Sequence, residues 1–463
     1  MNDEHGLTTS FNGSHTLFAL DGARNATILD GVQPMFAFLK RLRDDRRGNV
    51  LAIIAASMPL IIGGAGLATD TIQWTLWKRQ LQRAADSAAI AGVYDREAAG
   101  GSTSTASAAV THDLVLNLHT SNAMKTGFPT VSFPANSGSA TNQVKVTVAI
   151  QKPLSFSSFF MASAPTITAV ATAASIPAGG DACVQALENS ASKTGITNSG
   201  NTTIYMPDCV FYSNSPSTNS ASAGGSSSVT ALAIAAVGGI QQSNNWHVTS
   251  YRPYSPALPD PFAGVAPDLN AMTCSASALT ATTNFATLPA GTNCFASMSI
   301  GSNKSLTVPA NFGPIYINGG SVDLKGAFTC VGCTIVLTNK NPASTTIGTF
   351  DSNAQATNSI TAPTSGTFKG IAVYQDRRAV DCSGCNKING GSSNPITGAM
   401  YFPKQELWYN GGGNVTATCT MFVARRITFT GNSGISNKFK SMKDCGLEGL
   451  PSSSSVKMVR LVA

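Results

Sequence analysis

The apolar residues change their pattern four times along the chain. Residues 1–39 mix apolar and polar positions without a sustained period and are read as a flexible cytoplasmic tail. Val50 to Ala68 then contains no Asp, Glu, Lys, Arg or His. A helix of roughly 20 such residues is what a hydrocarbon core of about 30 Å requires. Pro59 lies inside this stretch and is expected to kink it, which membrane helices tolerate because neighbouring groups satisfy the freed backbone. Farther on, Trp77, Leu81, Ala84, Ala88 and Ala91 recur at steps of four and three, the seam of a helix that packs along its length. The small residues on that seam allow close approach, either of the chain's own domain or of a partner helix. Gly-Gly-Ser-Thr-Ser at 100–104 ends the helix, and Val110, Leu114 and Leu118 predict a second from about Ala106 to Leu118.

A period of two follows. Gln143 to Ile150 alternates as a strand, and Thr166 to Val170 gives a weaker one, so two helices and two strands predict a small α+β module. Pro177-Ala178-Gly179-Gly180 marks a boundary. From Asp181 onward short apolar runs (TTIYM, GCTIVLT, GIAVYQ, GAMYF, RRITFTGN) alternate with Gly, Asn and Ser, and Gly-Asn recurs at 200–201, 413–414 and 431–432. Such a texture suits a sandwich, a barrel, a jelly roll or a stacked solenoid. A solenoid with rungs of about twenty residues is preferred, because Gly, Asn and Ser suit its corners and its core is narrow.

The fold expected is therefore mainly β with an N-terminal α segment. A membrane anchor and amphipathic helix occupy 40–98, with the span at 50–68, and continue into a small α+β module at 105–176. A large β-rich exported domain, a β-solenoid (parallel β-helix), fills 181–463.

Charge and cysteine sharpen this picture. Lys40, Arg41, Arg43, Arg46 and Arg47 crowd the N-terminal side of the span, against Lys78, Arg79 and Arg83 beyond it, which favours a cytoplasmic N-terminus. A cleaved signal is the rival reading, with Gly66-Leu67-Ala68 as its cleavage site, but nearly fifty residues precede the apolar run, whereas a signal's apolar region of about 7–15 residues lies close to the start. A buried core helix is the third reading. Asp70 is expected where the helix meets water, since ionisable groups are expensive deeper in a bilayer.

All ten cysteines (Cys183, Cys209, Cys274, Cys294, Cys330, Cys333, Cys382, Cys385, Cys419 and Cys445) follow residue 180, which reads as disulfides in an oxidising compartment. The alternatives are redox-active thiols or a zinc site built from the two C-x-x-C pairs, Cys330/Cys333 and Cys382/Cys385. With only 11% charged residues and 43 glycines, the exported part fits a β-rich surface of Ser, Thr and Asn better than a charged disordered region. The net charge of +7 is not gathered with aromatics into a stripe, so no nucleic-acid partner is expected.

The stretch GNVLAIIAASMPLIIGGAGLATDTIQWTLWKRQLQRAADSAAIAG, within residues 46–93, resembles the N-terminal segment of the TadG-like proteins of the tight adherence (Flp/Tad) pilus system. The resemblance is carried by Gly48-Asn49, Pro59 within the span, Gly66-Leu67 followed by Asp70, and the run Leu81-Gln82-x-Ala-Ala-Asp86-x-Ala-Ala. Farther along, GCTIVLT, TAPTSGTFKGIAVYQDR, INGGSSNPITGAMYFPKQEL and ITFTGNSG resemble exported domains found behind this anchor. The resemblance implies a Gram-negative, single-pass inner-membrane protein with a periplasmic C-terminal domain. It also implies pilus-assembly membrane proteins or pilin as partners, and a role in pilus assembly, anchoring or adhesion. Two features depart from relatives. Pilin-like members carry a glutamate five residues after the processing glycine, where this chain has Ile53, and the D-x-S-x-S pattern of a von Willebrand A metal site is missing.

A second function class is a membrane-anchored β-solenoid that binds or cleaves polysaccharide. Cleavage needs clustered carboxylates, and Asp376-Arg377-Arg378 with Asp381 is the candidate, against the plain reading of a mutually paired charge cluster. His247, the one histidine in the exported β region, lacks a G-x-S-x-G elbow, and Gly63-Gly64-x-Gly66 lies inside the span rather than in a phosphate loop. The expectation is a non-enzyme with no catalytic residues, cofactor, metal or small-molecule substrate.

Overall fold

The computed structural model describes residues 40, 49–118, 124–390, 395–411, 414–417, 419–432, 434–437 and 456–462. The predicted tail at 1–39, Gly48 and Cys445 lie outside the described residues. One helix runs from Asn49 to Ala98; at about 1.5 Å per residue its 50 residues extend roughly 75 Å, more than twice a hydrocarbon core. The chain divides into two compact units: residues 1–73 with 153–163, and residues 74–152 with 164–463.

Within the second unit the helix buries Leu81, Ala84, Ala85, Ala88, Ala89 and Val93. This strip packs with Val110 and Leu114 of the helix Ala106–Asn117 against one face of an antiparallel sheet. The sheet orders Thr130–Ser132, Thr141–Gln151, Thr166–Pro177 and Lys457–Leu461. Val144, Val146, Val148 and Ile150 meet the helices from one strand, and Ile167, Ala169, Ala171 and Ala173 from its neighbour, as period-two alternation dictates. Gly92 is required by this packing, because a Cβ there would come within 2.9 Å of Val110 and Val144. The last strand thus joins the small module, whereas the boundaries 105–176 and 181–463 would assign it to the exported domain. Its entrance is fixed by the N–H of Ala178, which donates to the carbonyl of Val456 at 2.6 Å.

The remaining strands form a large, mostly parallel sheet. A first series climbs from Asp181–Ala186 through Thr203–Ser213 and Ser228–Ala236 to Trp246–Arg252. A second begins with Leu279–Thr280 and passes through Met298–Ile300, Val322–Leu324, Phe350–Ser352, Asn386–Gly390 and Ile396–Gly411 to Thr420–Gly431. There Phe422 and Ala424 pair with Val184 and Ala186, so the end of the second series lies beneath the start of the first. Register spacing is irregular: Met400 lies beside Phe422, but Ile335 beside Val373.

The chain therefore has to travel back between Arg252 and Leu279, and its exposed backbone needs partners along that path. Gln185 Nε2 donates to the carbonyl of Pro259 at 2.9 Å, Tyr374 Oη to that of Val265 at 2.9 Å, and Lys340 Nζ to that of Met272 at 2.8 Å. Phe262 packs edge-on against Tyr401, and Tyr401 Oη donates to Asp260 at 2.6 Å. Burial pushes the Tyr374 hydroxyl up to about 12, so it remains a donor at any neutral pH. Like side chains stack from strand to strand in the core: Tyr374 on Tyr401 at 5.2 Å, and Tyr409, Phe429 and Phe211 in succession at 6.2 Å.

Candidate functional site

The first unit holds the apolar half of the long helix, and most of its large side chains pack on no other part of the chain among the described residues. Val50, Leu51, Ile53, Leu60, Ile61, Ile62 and Leu67 are all exposed, and none of the most apolar window is buried. A helix that is apolar all round belongs in a protein core or in lipid, and here no protein surrounds it among the described residues. Its few polar groups are satisfied internally: Ser57 Oγ donates to the carbonyl of Ile54, Thr69 Oγ1 to that of Ala65 and Thr71 Oγ1 to that of Leu67. The helix continues through Pro59, which is exposed, as is Ala68.

Asp70 does not meet water. It is 3% exposed, and its carboxylate receives the N–H of Phe156 at 2.9 Å, the N–H of Ser157 at 2.5 Å and the hydroxyl of Ser157 at 2.5 Å. These donors open the short turn Ser157–Phe159 in the link between two strands of the small sheet, so the aspartate acts as a cap supplied from a distant helix. Ser155 Oγ donates to Gln73 at 3.1 Å, and the Phe156 ring covers Gly66 so closely that a Cβ there would come within 2.4 Å of it. Thus two residues that carried the family resemblance, Gly66 and Asp70, are among those the loop engages.

Residues 48–100 match the family model "Putative Flp pilus-assembly TadE/G-like". The match and the long apolar helix together support a membrane-anchored, pilus-related protein. No curated protein and no solved structure matches it.

The TadE/G-like segment includes the whole helix, and among the described residues this is the one helix long and apolar enough to cross a membrane. Of the seam residues, Leu81, Ala84 and Ala88 are buried, Trp77 is partly buried against the same cluster, and Ala91 is only half-buried. The buried strip instead turns toward Ala85, Ala89, Gly92 and Val93. A straight helix of 3.6 residues per turn drifts by about 20° per heptad from a 3.5-residue repeat, and two heptads carry Ala91 off the contact.

Beyond the TadE/G-like segment, the acidic residues considered for catalysis are each held by arginine. Asp376 binds Arg378 at 2.7 Å and accepts from Thr338 at 2.7 Å, while Asp381 binds Arg426 at 2.8 Å. Burial opposes ionisation of Asp376, but the Arg378 guanidinium and N–H and the Thr338 hydroxyl outweigh it and hold the carboxyl below its ordinary value. Arg377 turns away to Asp260 at 3.4 Å and lies over the Tyr401 ring. His247 is exposed on the outermost strand of the first series.

The larger charge cluster was not legible. Glu188, fully buried, receives Arg425 at 3.1 Å, Arg426 at 2.7 Å and the N–H groups of Asn189 and Ser190 at 3.0 Å. It lies in the first strand series and the arginines in the second, so the cluster ties the two together.

Among the described residues the cysteines are disulfide-bonded. Cys183 pairs with Cys209 and Cys274 with Cys294, each joining neighbouring strand positions; Cys330 pairs with Cys333 and Cys382 with Cys385, each closing a corner. The two C-x-x-C pairs therefore do not pool four thiolates around zinc. Their corners turn at Gly332 and Gly384, both at positive φ. Cys419 is also disulfide-bonded.

Sequence reasoning passed over Phe156, Ser157, Phe159, Phe160 and Met161. The available signal was an uncharged, phenylalanine-rich run, PLSFSSFFMAS, where a polar strand connection is the norm.

Proposed function

We propose that this chain is a structural or accessory component of an Flp/Tad pilus system, held in the inner membrane by one helix with its C-terminal domain in the periplasm. The observation that carries this reading is the match at residues 48–100 coinciding with an apolar helix whose large side chains between Val50 and Leu67 are exposed. The basic cluster before the span supports a cytoplasmic N-terminus, and disulfide-bonded cysteines suit an oxidising compartment. The repeated parallel pairing of each strand with one two or three elements further along is best read as a β-solenoid, a rigid rod whose flanks offer Ser, Thr and Asn to a protein partner. Pilin or another membrane protein of the assembly apparatus is the partner class. Because Asp376 and Asp381 are occupied by arginines, a non-enzymatic role is favoured over polysaccharide cleavage.

The test is a clean deletion, complemented with the full chain, scored for surface pili and surface-attached cells. Loss of both, restored by complementation, supports assembly or anchoring. Normal pili with weaker attachment make the domain an accessory adhesin. No change in either measure refutes the pilus reading.

A further inference from the structure

The link Pro153–Ser163 joins two strands of a small sheet, yet it groups with the apolar half of the long helix. It carries no charge and presents Phe159, Phe160 and Met161 at 83%, 77% and 47% exposure. Three large apolar side chains side by side on a loop tip are unfavourable in water and demand a cover. What covers them follows from where the loop is fastened. Its backbone is capped by Asp70, and its Phe156 ring lies on Gly66, one helical turn deeper into the apolar stretch than Asp70. Phe160 in turn packs on Phe156 with ring centroids 5.4 Å apart.

On the helix itself, Ile72, Trp74 and Leu76 beyond Asp70 are again exposed and apolar, and the first cations after the span are Lys78 and Arg79. The lipid-facing surface therefore continues past Asp70 through Trp74, a residue type that favours the membrane interface, to Leu76. From Val50 to Trp77 the helix rises about 40 Å, the thickness of a bilayer with its headgroup regions. Asp70 is the only ionisable residue in that length, and the loop removes its carboxylate from the lipid by hydrogen bonds.

We infer that Pro153–Ser163 is a second membrane-inserted element, a loop that shields Asp70 and places Phe159, Phe160 and Met161 among the phospholipids of the outer leaflet. This rests on the reading of the helix as a membrane span, and the test separates the two. The full chain is reconstituted in phosphatidylethanolamine–phosphatidylglycerol vesicles with photoreactive benzoylphenylalanine replacing Phe159, Phe160, Leu60 or Tyr205 in turn. Leu60 is the span control, and Tyr205, exposed on the parallel sheet, is the aqueous control. Labelling of phospholipid from 159 and 160 at a level comparable to 60, with loss of label at 205, supports the proposal. Label at 60 with none above the level of 205 at 159 and 160 overturns it, as does adduct formation at 159 and 160 with protein instead of lipid. Absence of lipid label at 60 overturns the spanning reading and the loop with it.

Discussion

The two halves of the long helix use the same backbone in opposite ways. Between Val50 and Leu76 its large side chains, mostly Ile and Leu, are exposed, and a loop covers only the helix near Gly66 and Asp70; between Leu81 and Val93 it is built of alanine, buried on one side. Large side chains maximise area against a fluid solvent that conforms to any shape. Alanine minimises the distance to a fixed partner, here a sheet close enough to exclude even a Cβ at Gly92. Large residues around the whole circumference therefore mark a lipid-facing helix, and a one-sided stripe of small ones marks a protein-facing helix.

The sharpest test of that contrast is a charge. Ala88→Asp would bury a carboxylate with no cation against the small sheet, and we expect a loss of about 4 kcal/mol or more. The readout is collapse of amide-exchange protection in Thr141–Gln151. The next effect concerns a buried charge the protein does accommodate. Glu188→Gln should destabilise the parallel sheet by about 3 kcal/mol, because Arg425 and Arg426 lose their fully buried anion and keep the more exposed Asp381.

That ion cluster also fixes a pH dependence. Burial would raise the Glu188 carboxyl, but the two arginines and the Ser190 N–H outweigh it and hold it below its ordinary value. Its proton is bound more weakly folded than unfolded, so its contribution is complete above about pH 4.5 and is lost as pH falls through the lowered folded value. Urea midpoints measured from pH 7 to pH 3 should fall less steeply in Glu188→Gln than in the parent.

Smaller again is Asp70→Ala, which removes the cap from Phe156 and Ser157 and should cost about 1 kcal/mol. It is read as roughly fivefold faster amide exchange at those two residues in the membrane-bound chain. Smallest is Leu60→Ala, which should leave the unfolding midpoint of the small module within about 0.5 kcal/mol of the parent, although the lost side chain is larger than any in the alanine stripe. A larger shift would mean that the outer half is held by protein, and the contrast would fail.

How much of this could be read from residues alone depended on the range of the interactions involved. The span and both helices of the small module follow from local periodicity, and the runs GCTIVLT and GIAVYQ fall on the strands Cys333–Thr338 and Ile371–Gln375. Ala91, placed on the seam by counting in sevens, is half-buried, as the drift of a straight helix dictates. The strand Lys457–Leu461 is five residues long and mostly half-exposed, so it carries little alternation of its own; its pairing with Thr166–Pro177 comes from the far side of the sequence. Glu188 and its arginines are likewise brought together by strand order, which no local pattern encodes. Asp70 was recognised as costly, but its remedy lies more than eighty positions away in the loop that caps it.

The pairing of Ala178 with Val456 has a mechanical consequence. The chain departs from the small sheet at Pro177 and returns to the adjacent strand at Lys457, so the whole parallel sheet is an insertion carried on two neighbouring strands. A load applied to it reaches the small sheet by two routes, the covalent chain at Pro177 and the hydrogen-bonded strand Lys457–Leu461. The same arrangement separates inheritance from attachment: one insertion can be exchanged for another of different length at a single pair of junctions.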